Sequence, residues 1–167
     1  ITITIASCNT PKNEKEKENK RTNQQQTTQT WVSEKNRTTK ETAEERRFYD
    51  LTKNLQKKYE KDKLEEVQSN IKELKQLLPK YTTNWNYGNA FHKINIIEGR
   101  IELQKGNIEK AKEYLILAAK TNGSPQLNSF GPNMSLAKEL LEQKETIIVM
   151  EYFDLCKKFW KSDYNKL

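Results

Sequence analysis

Glycine and proline are scarce, at 5 and 4 in 167 residues, which argues against a β-sandwich and for helices. Histidine occurs once, at His92, and cysteine twice, at Cys8 and Cys156. So few cannot make a Cys/His cluster with metal-ligand spacing. The chain has no phosphate-binding loop, no dinucleotide fingerprint and no nucleophile elbow. No apolar run is long enough for a membrane-spanning helix. The sequence therefore points away from an enzyme, with no metal and no cofactor expected. His92 reads as a helix-surface or groove residue rather than a general base.

What is present is polar. Hydrophobic residues make up 34% of the chain and charged residues 32%, too polar for one uniform globule. The net charge is +7, from 30 Lys+Arg against 23 Asp+Glu. It is diluted along the chain: residues 1–47 carry 10 basic and 7 acidic side chains, and residues 48–167 carry 20 and 16. A phosphate-reading stripe is usually less mixed with Glu, so nucleic acid is an unfavoured partner, although attraction to an anionic surface stays open. Cys156 falls in an apolar helical pattern and reads as a small buried hydrophobe.

The chain begins ITITIASCNT, without Met, so a start inside a longer precursor is expected. An apolar stretch ends in Ala6-Ser7 and runs into Cys8, followed by a strongly polar segment. Ile5-Ala6-Ser7-Cys8 resembles the lipobox of bacterial lipoproteins. That resemblance implies a signal end at residues 1–8, acylation of Cys8, and a location in the bacterial cell envelope on a lipid anchor. Residues 9–41 read as a disordered tether: from Asn9 to Thr30 there is no Val, Ile, Leu, Phe, Trp, Tyr or Met. Trp31-Val32 is an isolated apolar pair within it.

From residue 42 the pattern becomes helical, through to 167. Thr42-Ala43-Glu44-Glu45 has the form of a capping box. Phe48, Leu51 and Leu55, then Val67, Ile71 and Leu74, are spaced by three and four up to Pro79. Ala90, Ile94, Ile97 and Ile101 form another stripe. Gly106-Asn107 marks a turn, with Asn107 placed to cap the next helix, where Ala111, Leu115 and Ala118 continue. Six helices are expected, at 42–60, 63–78, 84–105, 107–121, 133–144 and 146–161. Leu51, Ile71, Ile97, Leu115, Leu140 and Phe153 are expected in the core. The link Asn122–Pro132 is expected to be an ordered cover, with Leu127 and Phe130 folded back.

Residues 92–125 resemble a tetratricopeptide repeat, a unit of about 34 residues. Gly99, Ala111 and Ala118 take the small positions and Leu115 a bulky one. The matching residues Val67, Ala111 and Val149 lie 44 and 38 apart, so the resemblance implies about three degenerate repeats, all-α, stacked as antiparallel hairpins in a solenoid. The segment His92–Trp160 also resembles a group of bacterial tetratricopeptide-like proteins, which implies the fold and no reaction. In such arrays the first helix of each pair lines a concave face. The inward positions are then Tyr49, Thr52, Gln56 and Tyr59; Lys93, Ile96, Arg100 and Leu103; and Met134, Lys138 and Leu141. The expectation is a membrane-anchored scaffold that binds a peptide or partner protein in this groove, with Arg100 gripping a carboxylate and Lys93 and Lys138 adding attraction. The alternative is a binder of nucleic acid or anionic surfaces through net charge.

Overall fold

In the computed structural model, which describes residues 41–160, α1 runs Ala43–Glu60 and α2 runs Leu64–Leu77. Cys8 and residues 9–40 of the expected tether lie outside the described residues. Each helix carries acid in its first turn and base in its last, Glu44 and Glu45 against Lys57 and Lys58 in α1, which complements the helix dipole. The ion pairs Arg47–Glu73 and Lys58–Glu66 match the start of α1 with the end of α2, so the two are antiparallel. Phe48, Leu51 and Leu55 meet Val67, Ile71 and Leu74 between them, all buried.

Pro79 ends α2 in a 3₁₀ turn, Leu78–Lys80. The chain re-enters at α3, Tyr87–Gln104, and returns in α4, Ile108–Ala119. These two pack on each other more extensively than any other pair. Close approach is possible because Gly99 has no side chain: a Cβ there would lie 3.0 Å from the Tyr114 Cβ and 3.3 Å from the Ala111 carbonyl oxygen. Asn107 does not cap α4 with its side chain, contrary to expectation. Its amide instead donates to Glu102 Oε2 at 2.7 Å.

Three further helices complete the described residues: α5 Pro125–Phe130, α6 Ser135–Glu142 and α7 Thr146–Cys156. Among the described residues there are seven α-helices and no strand. The extra one is α5, inside the segment expected to be a link. Ser124 accepts from the Leu127 amide at 3.0 Å, Pro125 fixes the first helical φ, and Gly131 stops the helix at φ +82°. Leu127 is buried as expected. Phe130 is not, at 86% exposed.

The turns α1–α2, α3–α4 and α6–α7 are built alike. Each has one residue of positive φ: Asp62 at 57°, Gly106 at 81° and Lys144 at 67°. In each, the next residue's amide bonds back five residues, Lys63 to Lys58, Asn107 to Glu102 and Glu145 to Leu140. That is the Schellman ending, and its recurrence makes the three hairpins structurally equivalent at their tips. Only the middle turn uses glycine.

The core divides into two clusters that share α3. Ala90, Ile94, Ile97 and Ile101 face α1 and α2, while Ile96 joins Leu115, Leu127, Leu136, Leu140, Val149 and Tyr152. Burial on both sides explains why α3 is apolar nearly all round. Leu51, Ile71, Ile97, Leu115 and Leu140 are buried as expected. Phe153 is only half-buried; the adjacent Tyr152 is fully buried and donates its hydroxyl to the Asn133 carbonyl at 2.9 Å. The run Ile147–Met150 at the start of α7 is apolar on every side, so the sequence contrast fixes the helix's rotation weakly, and a Tyr can enter the core when its hydroxyl finds an acceptor. Cys156 is a buried free thiol, pushed up to about 11 by burial and so unreactive.

Candidate functional site

The structure brings some of the expected inward residues together, Tyr49, Thr52 and Lys93 in one cleft and Tyr59 against Arg100, but several are spent on holding helices to one another. On α1, the Tyr49 hydroxyl donates to Glu45 at 2.6 Å and accepts from Asn84 at 2.8 Å. Gln56 bonds Glu60 and accepts from Asn133 at 3.4 Å. Arg100 of α3 lies over the Tyr59 ring, 4.5 Å from its centre, and its Nε donates to Glu139 of α6 at 2.8 Å. Its Nη2 reaches the same carboxylate oxygen. The guanidinium expected to grip a ligand carboxylate is therefore already satisfied from within, by a partner 39 residues away in sequence. Thr52 and Ile96, expected in the groove, are buried at 3% and 0%. Thr52 turns its hydroxyl back onto the Phe48 carbonyl, and Ile96 belongs to the second core cluster. Leu103 and Met134 are half-buried against that cluster, and Lys138 and Leu141 are exposed.

The open space lies toward the N-terminal end of α3. A cleft of about 570 Å³ is bounded by α1, the start of α3 and the stretch from Gln126 to Asn133. Its walls carry the aromatics Tyr49 and Trp85, whose rings sit 5.3 Å apart, and the amides Asn86, Asn89, Gln126 and Asn133. Asn89 is oriented by three bonds: its amide donates to Asn86 and Gln126, and its oxygen accepts from Ser124. The lining includes two cations, Lys53 and Lys93, and no Asp or Glu.

Lys93 is the group whose state matters. Its ammonium donates to the Thr52 carbonyl at 2.9 Å. It makes no ion pair among the described residues, whereas Lys58, Lys63, Lys75, Lys80, Lys105, Lys110 and Lys112 all do. Burial lowers its pKa, because the charged form has lost water without gaining a counter-charge. An ammonium in that condition gains from any anion entering the cleft.

His92 lies beneath the floor, 2% exposed rather than on a helix surface. Its Nε2 accepts from the Asn133 amide at 3.0 Å, so Nδ1 must carry the hydrogen, which it donates to the Ala118 carbonyl at 2.8 Å. Burial pulls its pKa down to about 4. The ring is a neutral pin joining α3, the end of α4 and the segment leading into α6. It has no free nitrogen to offer a substrate.

Comparison with protein-family profiles, curated proteins and solved structures found no match for this chain. Function must be argued from the cleft itself. Among the described residues no three His, Cys, Asp or Glu are grouped to hold a metal, and no helix is long and apolar enough to cross a membrane. Sequence reasoning placed Tyr49, Thr52 and Lys93 in this site but missed Trp85, Asn89, Gln126 and Asn133. The signal available was local: Asn84-Trp85-Asn86-Tyr87-Gly88-Asn89 packs aromatics and amides into one short stretch.

Proposed function

We propose that this protein is a membrane-tethered recognition scaffold, a bacterial lipoprotein whose helical hairpins form a degenerate tetratricopeptide-like array. Its concave side takes a peptide or a segment of a partner protein that carries an acidic group. The observation that carries the reading is the cleft: two lysines, no carboxylate in its lining, and Lys93 half-buried without a counter-ion. The recurrent Schellman turns at Asp62, Gly106 and Lys144, spaced by the same 44 and 38 residues as the sequence pattern, support the repeat reading. The proposal assigns binding and no reaction.

Lys93 replaces Arg100 as the residue that meets the ligand. Arg100 already has Glu139, and drawing it away costs that bond before any new one is gained. The nucleic-acid alternative is weaker, since many described basic side chains are paired with carboxylates on the same surface.

The experiment is a pull-down from native membranes with wild-type, Lys93→Met and Arg100→Ala proteins, followed by affinity measurement on the captured partner. Loss of a charge-assisted hydrogen bond in Lys93→Met weakens binding by about 1.5–3 kcal/mol. Unchanged affinity in Lys93→Met rules the cleft out. A steep log-log fall of affinity with salt indicates phosphate neutralisation instead. The tether is tested separately: mass analysis of the membrane-purified protein should find Cys8 acylated and N-terminal, and an unprocessed Cys8 defeats the lipoprotein reading.

A further inference from the structure

Phe130 is the most exposed aromatic among the described large hydrophobics, at 86%, yet its backbone is among the most deliberately built. It ends α5, which is capped by the Ser124 hydroxyl, started by Pro125 and stopped by Gly131 in a left-handed conformation. Gly131 lies against the Trp160 ring so closely that a Cβ would come within 2.7 Å of it. Leu127, three residues before Phe130, is buried and also lines the cleft. A segment held at four points has little freedom to bend its tip inward. The backbone that presents Phe130 is therefore fixed.

Its direction follows from helix periodicity. Phe130 stands four residues after Gln126, on the same face, and Gln126 lines the cleft. Its neighbour Gly131 lines the cleft too. Trp85, a cleft-lining residue, is a second aromatic left open, at 51% exposed, with its ring beside that of Tyr49. Trp85 stands in the cleft wall, and Phe130 is set beside the cleft by its lining neighbours Gln126, Leu127 and Gly131.

We infer that Phe130 and Trp85 are specificity residues, and that the ligand is a peptide segment in which an acidic side chain lies next to an aromatic one. This rests on the proposal above that Lys93 receives the acid. The charge of the cleft selects the acidic residue. The aromatics select its neighbour, because exposed rings held on a fixed backbone gain by covering a third ring and excluding water around the charge pair.

The test uses blocked peptides, acetyl-Gly-Phe-Asp-Gly-amide, acetyl-Gly-Ala-Asp-Gly-amide and acetyl-Gly-Phe-Asn-Gly-amide, titrated against the full chain with side-chain amide resonances of Asn89 and Gln126 as the readout. The Phe-Asp peptide binds about tenfold more tightly than the Ala-Asp peptide, the size of one good aromatic contact. Phe130→Ala removes most of that ratio and leaves the Ala-Asp peptide unchanged, and Trp85→Ala reduces it in part. Both side chains are exposed, so the variants fold. Lys93→Met weakens both Asp peptides alike and leaves the Phe-Asn peptide unaffected. If Phe130→Ala keeps the Phe-Asp to Ala-Asp ratio while Lys93→Met abolishes binding, the specificity inference is overturned and the cleft reading stands. If Asp and Asn peptides behave alike, or none perturbs the cleft, the cleft reading falls and the inference falls with it.

Discussion

Acid should loosen this fold well before its carboxylates are protonated, and the cause is one buried ring. In the native state His92 holds its proton on Nδ1 for the Ala118 carbonyl and offers a lone pair on Nε2 to the Asn133 amide. Protonation turns Nε2 into a donor facing a donor, inside a site with little water. Burial, which disfavours the charged ring, lowers the native pKa to about 4, against about 6.5 in the unfolded chain. The sign follows directly. Above about pH 6.5 neither state binds the proton and stability is at its full value. As pH falls below that, the unfolded chain takes up a proton that the folded chain refuses, so folding free energy is lost at about 1.4 kcal/mol per pH unit. The loss reaches about 2 kcal/mol near pH 5 and about 3 kcal/mol by pH 4, where it levels off.

Urea unfolding followed by helical circular dichroism, at steps from about pH 7.5 to about pH 5, measures this directly. The window separates His92 from the carboxylates: the ion-paired Glu66, Glu73 and Glu102 have pKa values held down by their partners, so their contribution is lost only at lower pH. Nearby Tyr152, held up by burial, stays neutral throughout. His92→Gln lowers stability at neutral pH by loss of fit but flattens the slope. A wild-type stability that is level across the window, or a slope that survives in His92→Gln, would falsify the account of His92 as a neutral pin.

The remaining predictions concern packing and turns. Lys144→Gly and Asp62→Gly each relieve a left-handed non-glycine residue and should raise stability by about 0.5–1 kcal/mol, read as a higher urea midpoint at unchanged slope. Gly88→Ala puts a Cβ 1.9 Å from the Gly123 carbonyl oxygen, a backbone atom that no rotamer change can move, and should cost about 1–3 kcal/mol. A normal melting temperature in Gly88→Ala would mean that this contact between α3 and the α4–α5 link is not tight. Leu115→Ala empties a fully buried site shared by α4, α6 and α7 and should cost about 2–5 kcal/mol.

The helices were legible because their apolar residues recur every three or four positions against a strongly polar background. Phe48, Leu51 and Leu55, or Val67, Ile71 and Leu74, leave one burial face for each helix. Legibility failed where that contrast disappears. α3 is buried on both sides, so Ile96 looked available for a groove when it was core. In α7 the run Ile147 to Tyr152 is apolar apart from Glu151, and periodicity chose Phe153 where the hydroxyl's need for the Asn133 carbonyl chose Tyr152. The short helix α5 carried its own signals, with Ser124 as cap, Pro125 at the first position and Gly131 at the stop. They were overshadowed by the density of turn-forming residues around them. Two of the three hairpin turns lacked glycine and were therefore quiet in sequence, though they have the same geometry as the one at Gly106.

The site was legible in position and not in wiring. Helix periodicity brought Tyr49, Gln56, Tyr59, Lys93 and Arg100 to one side of the molecule, because residues three and four apart must share a face. It could not say which charge stays available, since that depends on partners far away in sequence. Arg100 meets Glu139 across two hairpins, and Lys93 meets only a backbone carbonyl. The difference decides which cation the proposed binding reading rests on. A satisfied guanidinium stiffens the scaffold, whereas a half-buried ammonium that meets only a backbone carbonyl would gain from an incoming anion. The structure leaves that ammonium next to the cleft and spends the stronger cation on the frame. The charge with the lower intrinsic capacity for bidentate pairing thereby becomes the better candidate for binding.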